Sequence, residues 1–182
     1  DLKPAKTLGQ VFNSLGTKFR DAMTEPQKIL LSRLSGLQNI NKTKFQVVEK
    51  LEQRKDAQTN EPTYTTYGLY TPTMDTAQVS TSGDIETVLH EATHAATSNS
   101  LRKHVRNNKG TTPLGRRIVS LFDTAKQADT DGQFENELKN VDEFITEGFN
   151  NPAFQKFLAG IPSPESTPSR IATLWSDFVQ AV

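Results

Sequence analysis

The chain has 182 residues, with 21 Lys and Arg against 21 Asp and Glu, three His, one Trp and no Cys. This length suits one compact domain, with or without an appendage, and zero net charge argues against a protein whose main task is gripping phosphate backbones. The lack of Cys excludes a disulfide framework, a thiolate zinc site and a cysteine nucleophile, and no apolar run approaches the ~18 residues that span a bilayer. Hydrophobic residues make up 34% and mean hydropathy is -0.58, so the core must be small and built from well-placed side chains. The chain opens on Asp1 with neither a basic nor an apolar leader region, which reads as no signal peptide and as a piece cut from something longer.

The first sixty residues read as a helical N-terminal segment, packed on or preceding a catalytic domain over 61–182. Leu8, Val11, Phe12, Leu15, Phe19 and Ala22 recur at helical spacing. Thr24-Glu25-Pro26-Gln27 has the form of a capping box with an early proline and opens a second helix through Ile29, Leu30, Leu34 and Leu37. Phe45, Val48 and Leu51 suggest a third helix running into the charged stretch from Glu49 to Lys55. The run from Asp56 to Pro62 reads as a loop. After it the period changes: Tyr64 to Tyr70 is rich in β-formers, Thr76 to Ser80 is a second short strand, and Pro72 suits the turn between them.

Ser82-Gly83-Asp84 offers N-caps for a helix from Ile85, whose buried stripe is Ile85, Val88, Leu89, Ala92 and Ala96. Beyond it come a basic loop from Arg106 to Gly110 and a helix opened by Thr112-Pro113, with Leu114, Ile118, Leu121, Phe122 and Ala125 on one face. A polar connector comes next from Gln127 to Gln133, then a helix over Val141 to Asn150 and another that Gly160 stops. Pro162 to Pro168 reads as a linker, and Ile171, Leu174, Trp175 and Phe178 form a last stripe. With strand-like sequence confined to one region, the predicted class is α+β, mainly α.

His90-Glu91-Ala92-Thr93-His94 is an H-E-x-x-H motif. On a helix the two imidazoles share a face and reach one ion, while Glu91 stands beside the metal without ligating it. Zinc suits this donor set, one ion per chain, with Glu91 as the base that takes a proton from the zinc-bound water and hands it to a leaving amine. A third protein ligand is required. The metzincin spacing fails, because Thr97 and Ser100 stand where Gly and His are needed, and His104 lies off that spacing among Arg102, Lys103 and Arg106. A later helix offers Glu143 and Glu147, four apart on one face. The like-charged pair makes sense where one carboxylate binds the cation and the other hydrogen-bonds a ligand imidazole.

His90-Glu91-x-x-His94 with Asn140-x-x-Glu143-Phe144-x-x-Glu147 downstream resembles the gluzincin metallopeptidases, among them the catalytic domain of anthrax lethal factor and the minimal zincin domains of long phage virion proteins and polymorphic toxins. The run from Gly148 to Gln155 is similar to the segment just after the glutamate in the phage domains, and the resemblance covers about Tyr64 to Leu158. It implies a minimal zincin-like fold with a short antiparallel sheet or edge strand beside the zinc helix, Glu143 as third ligand and Glu147 as its supporting carboxylate. It also implies an edge strand that pairs with extended substrate, for which Thr76, Ala77, Gln78, Val79 and Ser80 are the candidates. One departure stands out: lethal factor places a tyrosine where this chain has Asn136. The oxyanion or proton donor is therefore to be sought among Asn136, His104, Tyr64, Tyr67 and Tyr70.

The resemblance thus implies a zinc-dependent endopeptidase acting on a protein or peptide substrate, monomeric as a domain, and derived from a larger phage virion, ejected or toxin protein that acts in the virion or inside a host cell. The alternative is a zincin-fold structural module of a virion protein that no longer turns over. A cell-wall or toxin-type hydrolase is the third reading. Nucleic-acid binding rests only on Arg102, Lys103, His104, Arg106 and Lys109, with Arg116 and Arg117 beyond, a cluster that ordinarily serves as a solubilising helix end and loop.

Overall fold

The computed structural model describes residues 2, 4–51, 67–163 and 173–181. They are mainly helical with a small sheet, an α+β arrangement dominated by α as the sequence predicts. The chain forms two compact units, Asp1–Ala96 and Thr97–Val182.

In the first unit, Thr7 caps α1 (Leu8–Lys18), whose Leu8, Val11 and Leu15 are fully buried. Each such side chain contributes about 1.5–3 kcal/mol of hydrophobic stabilisation. A 3-10 turn (Arg20–Ala22) leads to α2 (Glu25–Ser35), which carries the predicted capping box between Thr24 and Gln27. Its buried face is Leu31 and Leu34, while Ile29 and Leu37 are 56% and 42% exposed, so the real stripe is shifted from the predicted one.

The predicted third helix is instead a strand, β1 (Lys44–Val48). Phe45, Val48 and Leu51 match a helical period, but Phe45-Gln46-Val47 also alternates, and the β-branched pair Val47-Val48 suits a pleated surface. Pairing decides between the two: β1 runs parallel to β3 (Thr76–Ser80), with Phe45 opposite Ala77 and Val47 opposite Val79. Between them in sequence comes β2 (Gly68–Thr71), antiparallel to β3, with Gly68 opposite Val79 and Tyr70 opposite Ala77. The sheet order is β1-β3-β2, a mixed sheet with β3 in the centre. The expected short antiparallel sheet therefore gains a parallel strand. The turn from Pro72 to Asp75 is held by Asp75, at φ 46°, which accepts hydrogen bonds from Thr43 (2.8 Å) and the Tyr70 phenol (3.0 Å). α1 packs with this sheet and with Val88, Leu89, Ala92 and Ala95 of α3 (Ile85–His104) in one core.

In the second unit, the stretch expected as a basic loop is a β-hairpin, β4 (Val105–Arg106) and β5 (Lys109–Gly110). Its connection is Asn107-Asn108, both at positive φ (49° and 56°), as a two-residue hairpin turn requires. α4 (Pro113–Ala128) is capped by Thr112 and buries Ile118, Leu121, Phe122 and Ala125, while Leu114 is 39% exposed and lies off the stripe. α5 (Val141–Asn150), α6 (Pro152–Gly160) and α7 (Leu174–Ala181) complete the core around Phe144. The Phe144 ring meets Phe122, Phe154 and Phe178 at centroid distances of 5.8, 6.0 and 5.4 Å, all edge-on. Ile171, the Trp175 side chain and most of the Pro162 to Pro168 stretch lie outside the described residues. Among the described residues, no helix is long and apolar enough to cross a membrane.

Candidate metal centre

α3 starts where the sequence places its cap. The Asp84 carboxylate accepts from the Thr87 backbone N–H (2.8 Å) and from the Thr87 hydroxyl (2.9 Å), satisfying one of the helix's open donors. With Val88, Leu89, Ala92 and Ala95 committed to the core, His90 and His94 project together from another face. His90 is half-buried and His94 buried, and their Nε2 atoms stand 3.1 Å apart with the rings 74° from coplanar.

That spacing can be tested against metal chemistry. Two nitrogens about 2.0–2.1 Å from a tetrahedral ion are about 3.3–3.4 Å from each other. The two ring nitrogens stand at hydrogen-bond distance, 3.1 Å, a few tenths of an ångström short of that chelating separation. His90, His94 and Glu143 offer one ligand atom each, all within 4.8 Å of one another, and together could hold a metal ion. Two imidazole nitrogens and a carboxylate oxygen are a donor set that zinc and neighbouring divalent metals accept.

Glu143 is placed by the start of α5. Asn140 caps that helix, its side-chain oxygen accepting from the Glu143 N–H at 3.0 Å. The Asn108 carboxamide at the hairpin tip accepts from the Val141 N–H (3.2 Å), and the Ser98 hydroxyl donates to Asp142 (3.1 Å). Val141, Phe144 and Ile145 are buried, which fixes the helix's rotation and leaves Glu143 half-buried in the first turn. A carboxylate there is favoured by the helix dipole.

Glu91 is buried, and β2 passes directly over it. A Cβ on Gly68 would meet the Glu91 carboxylate oxygen, and would lie 2.7 Å from Glu91 Cγ and 2.8 Å from the Thr87 methyl. Only glycine lets the strand come this close. A cleft of about 440 Å³ opens here, lined by Tyr67, Gly68, Asp84, Glu86, Thr87, His90 and Glu91. Sequence reasoning misses Gly68, although a lone glycine opening a β-rich run is a signal of close backbone approach.

Other expectations are corrected. Thr76 to Ser80 is not an edge strand: β3 is paired on both sides, and the strand beside Glu91 is β2. The edge is set by the chain reversal at residues 72–75, which places β2 outside β3. Tyr70 is buried with its phenol donating to Asp75, so it serves the turn. His104 hydrogen-bonds Thr112 through Nδ1 (2.9 Å), ten residues beyond His94 and thus about 15 Å further along the same helix. Asn136 is exposed in a turned segment. Tyr67 is exposed at the cleft, and Tyr64 lies outside the described residues. Glu147 is half-buried one turn after Glu143. Its charge, after burial itself, helps hold the Glu137 carboxyl above the ordinary carboxylate range.

No protein-family model, curated protein sequence or solved structure matches the chain.

Proposed function

We propose that the chain is a zinc-dependent peptidase of the gluzincin type. The observation that carries this reading is the 3.1 Å spacing of the His90 and His94 ring nitrogens, with the buried Glu91 between them in sequence. Zinc, when bound by His90, His94 and Glu143, supplies a Lewis acid that polarises a carbonyl and acidifies water. Everything else falls to the chain's own side chains. Glu91, as the carboxylate, takes a proton from the attacking water and returns it to the leaving amine. Its burial against Gly68 holds it in one position for both transfers. Glu147 steadies the ligand set by hydrogen bonding.

β2 pairs only with β3 among the described residues, and its other edge suits an extended peptide adding as a further strand. Gly68 presents a bare backbone to that peptide at the point nearest Glu91. Tyr67, exposed where β2 begins and lining the cleft, is the tyrosine we assign to stabilising the developing oxyanion.

The test is metal content by elemental analysis, together with release of fragments from a broad peptide library, for the native protein and Glu91→Gln. Stoichiometric zinc and cleavage abolished in Glu91→Gln support the reading; a native protein without zinc ends it. A second reading, a zincin-fold module of a larger virion protein without turnover, is favoured by Tyr70 and Asn136 standing away from any such role. Stoichiometric zinc with no cleavage, unchanged in Glu91→Gln, selects it.

A further inference from the structure

From Leu101 to Phe122 the sequence carries six Lys and Arg and no Asp or Glu, in a chain whose net charge is zero. Five of these cations lie on four consecutive elements. Arg102 and Lys103 lie in the last turn of α3, Arg106 and Lys109 face each other across β4 and β5, and Arg116 lies near the start of α4. All five are exposed. The sixth, Arg117, sends its guanidinium to within 3.7 Å of the buried Asp177.

This surface is held by a tight clasp. The Thr111 N–H and hydroxyl both donate to the His104 carbonyl (2.8 and 3.0 Å), and the Thr112 hydroxyl joins His104 Nδ1 (2.9 Å) to the first turn of α4 through the Gly115 N–H (3.1 Å). Gly110 lies against the Arg116 backbone and Gly115 against the His104 carbonyl, so closely that neither position has room for a Cβ. The helix end, the hairpin and the next helix are therefore pinned with their cations on display.

Among the described residues, none of the five makes an ion pair. Arg106 and Lys109 are moreover a like-charged pair directly across a hairpin, which costs stability unless an anion shares them. We infer that this clasp is a docking surface for the phosphodiester backbone of a nucleic-acid duplex. Arginine matches phosphate bidentately and supplies three of the five contacts. No Phe, Tyr or Trp occurs between Leu101 and Leu121, so the stacking platforms that hold single strands are missing. Leu114 is the one large exposed apolar side chain in this stretch, too little to anchor in a lipid surface. A hairpin of two residues per strand is too short to read base edges, so the contact is independent of sequence.

The test is fluorescence anisotropy of a labelled 20-base-pair DNA duplex titrated with the full chain at 50 to 200 mM salt. Five phosphate contacts give a slope of about -4.5 in log K against log salt, about a 500-fold loss over that range, with a Kd of about 1–100 μM near physiological salt. Arg106→Gln/Lys109→Gln weakens binding at least tenfold at 50 mM salt and flattens the slope by about 2, since two contacts are lost. Arg102→Gln/Lys103→Gln does the same on a different element and decides the matter should the hairpin variant fail to fold. Lys18→Gln/Lys42→Gln, both exposed in the first unit, leaves binding unchanged. No duplex binding at 50 mM salt, equal binding by the native and clasp variants, or tighter binding to vesicles of three parts phosphatidylcholine to one of phosphatidylserine would each overturn the inference.

Discussion

Gly68 and Glu91 share a contact that admits no methyl group between them. A Cβ at Gly68 would meet the Glu91 carboxylate and sit 2.7 Å from its Cγ. The strand and the Glu91 carboxylate are thereby fixed against one another. Gly68→Ala must push Glu91 aside or lift β2. It is expected to cost about 1–3 kcal/mol of stability, as overpacking does. Peptide hydrolysis should fall at least 100-fold while zinc affinity stays within about threefold, because the atoms nearest the new methyl belong to Glu91 and Thr87 and not to an imidazole. Isothermal titration with zinc, alongside a peptide assay, separates the two effects. Equal loss of both would show that Gly68 supports the whole helix and not Glu91 in particular.

Metal should also appear in the unfolding equilibrium. An ion that binds only the folded chain stabilises it by about 2.7 kcal/mol when present at 100 times its Kd. Urea unfolding with zinc and with a chelator is expected to differ by that amount in the native protein. The difference should vanish in His94→Ala and shrink in Glu143→Ala, since the cluster loses one of its three donors in each. A chelator effect that survives in His94→Ala would place the metal elsewhere.

The hairpin tip gives a prediction with opposing terms. Asn108 sits at φ 56°, a conformation that glycine adopts more easily, yet its carboxamide accepts from the Val141 N–H at the head of α5. Asn108→Gly relieves the backbone and removes the hydrogen bond. If the side chain matters, the variant is less stable by about 0.5–1.5 kcal/mol despite the better turn residue. It should also bind zinc more weakly, since α5 carries Glu143. A variant as stable as the native chain would reduce Asn108 to a turn former.

The sequence is legible where local signals and tertiary pairing agree. The caps at Thr24, Asp84 and Thr112 and the i, i+4 histidines are short-range features, and the structure reproduces them; the α3 stripe holds at Val88, Leu89 and Ala92, with Ala95 also buried and the predicted Ile85 and Ala96 only partly so. β1 mimics a helix because five residues satisfy either period, and its strand character comes from β3, nearly thirty residues away in sequence. The order of the sheet is hidden for the same reason. Nothing local to Thr76–Ser80 says that it is flanked on both sides, so the edge strand that the resemblance implies is assigned there although the edge belongs to β2. The cationic clasp is visible as composition but not as a surface, because Arg116 joins Arg106 and Lys109 only through the close approach of Gly110 to the α4 backbone.

Glu137 supplies the pH dependence. Burial lifts its carboxyl above the ordinary value of 4.5, and the negative charges of Glu147 and Asp129 push the same way; its backbone hydrogen bond and the Asn151 amide (2.9 Å) oppose them. A carboxyl whose pKa is raised on folding binds its proton more tightly in the folded chain. It therefore costs nothing at pH values where both states are protonated, and it destabilises progressively as pH climbs from about 4.5 through the folded value. Glu137→Gln keeps an oxygen for Asn151 and removes the charge. Thermal unfolding should show the variant more stable than the native chain at pH 7.5, with the gap closing toward pH 4. A variant that is less stable at pH 7.5, with an unchanged pH profile, would mean that the bond to Asn151 needs the full carboxylate and that the burial penalty is the smaller effect.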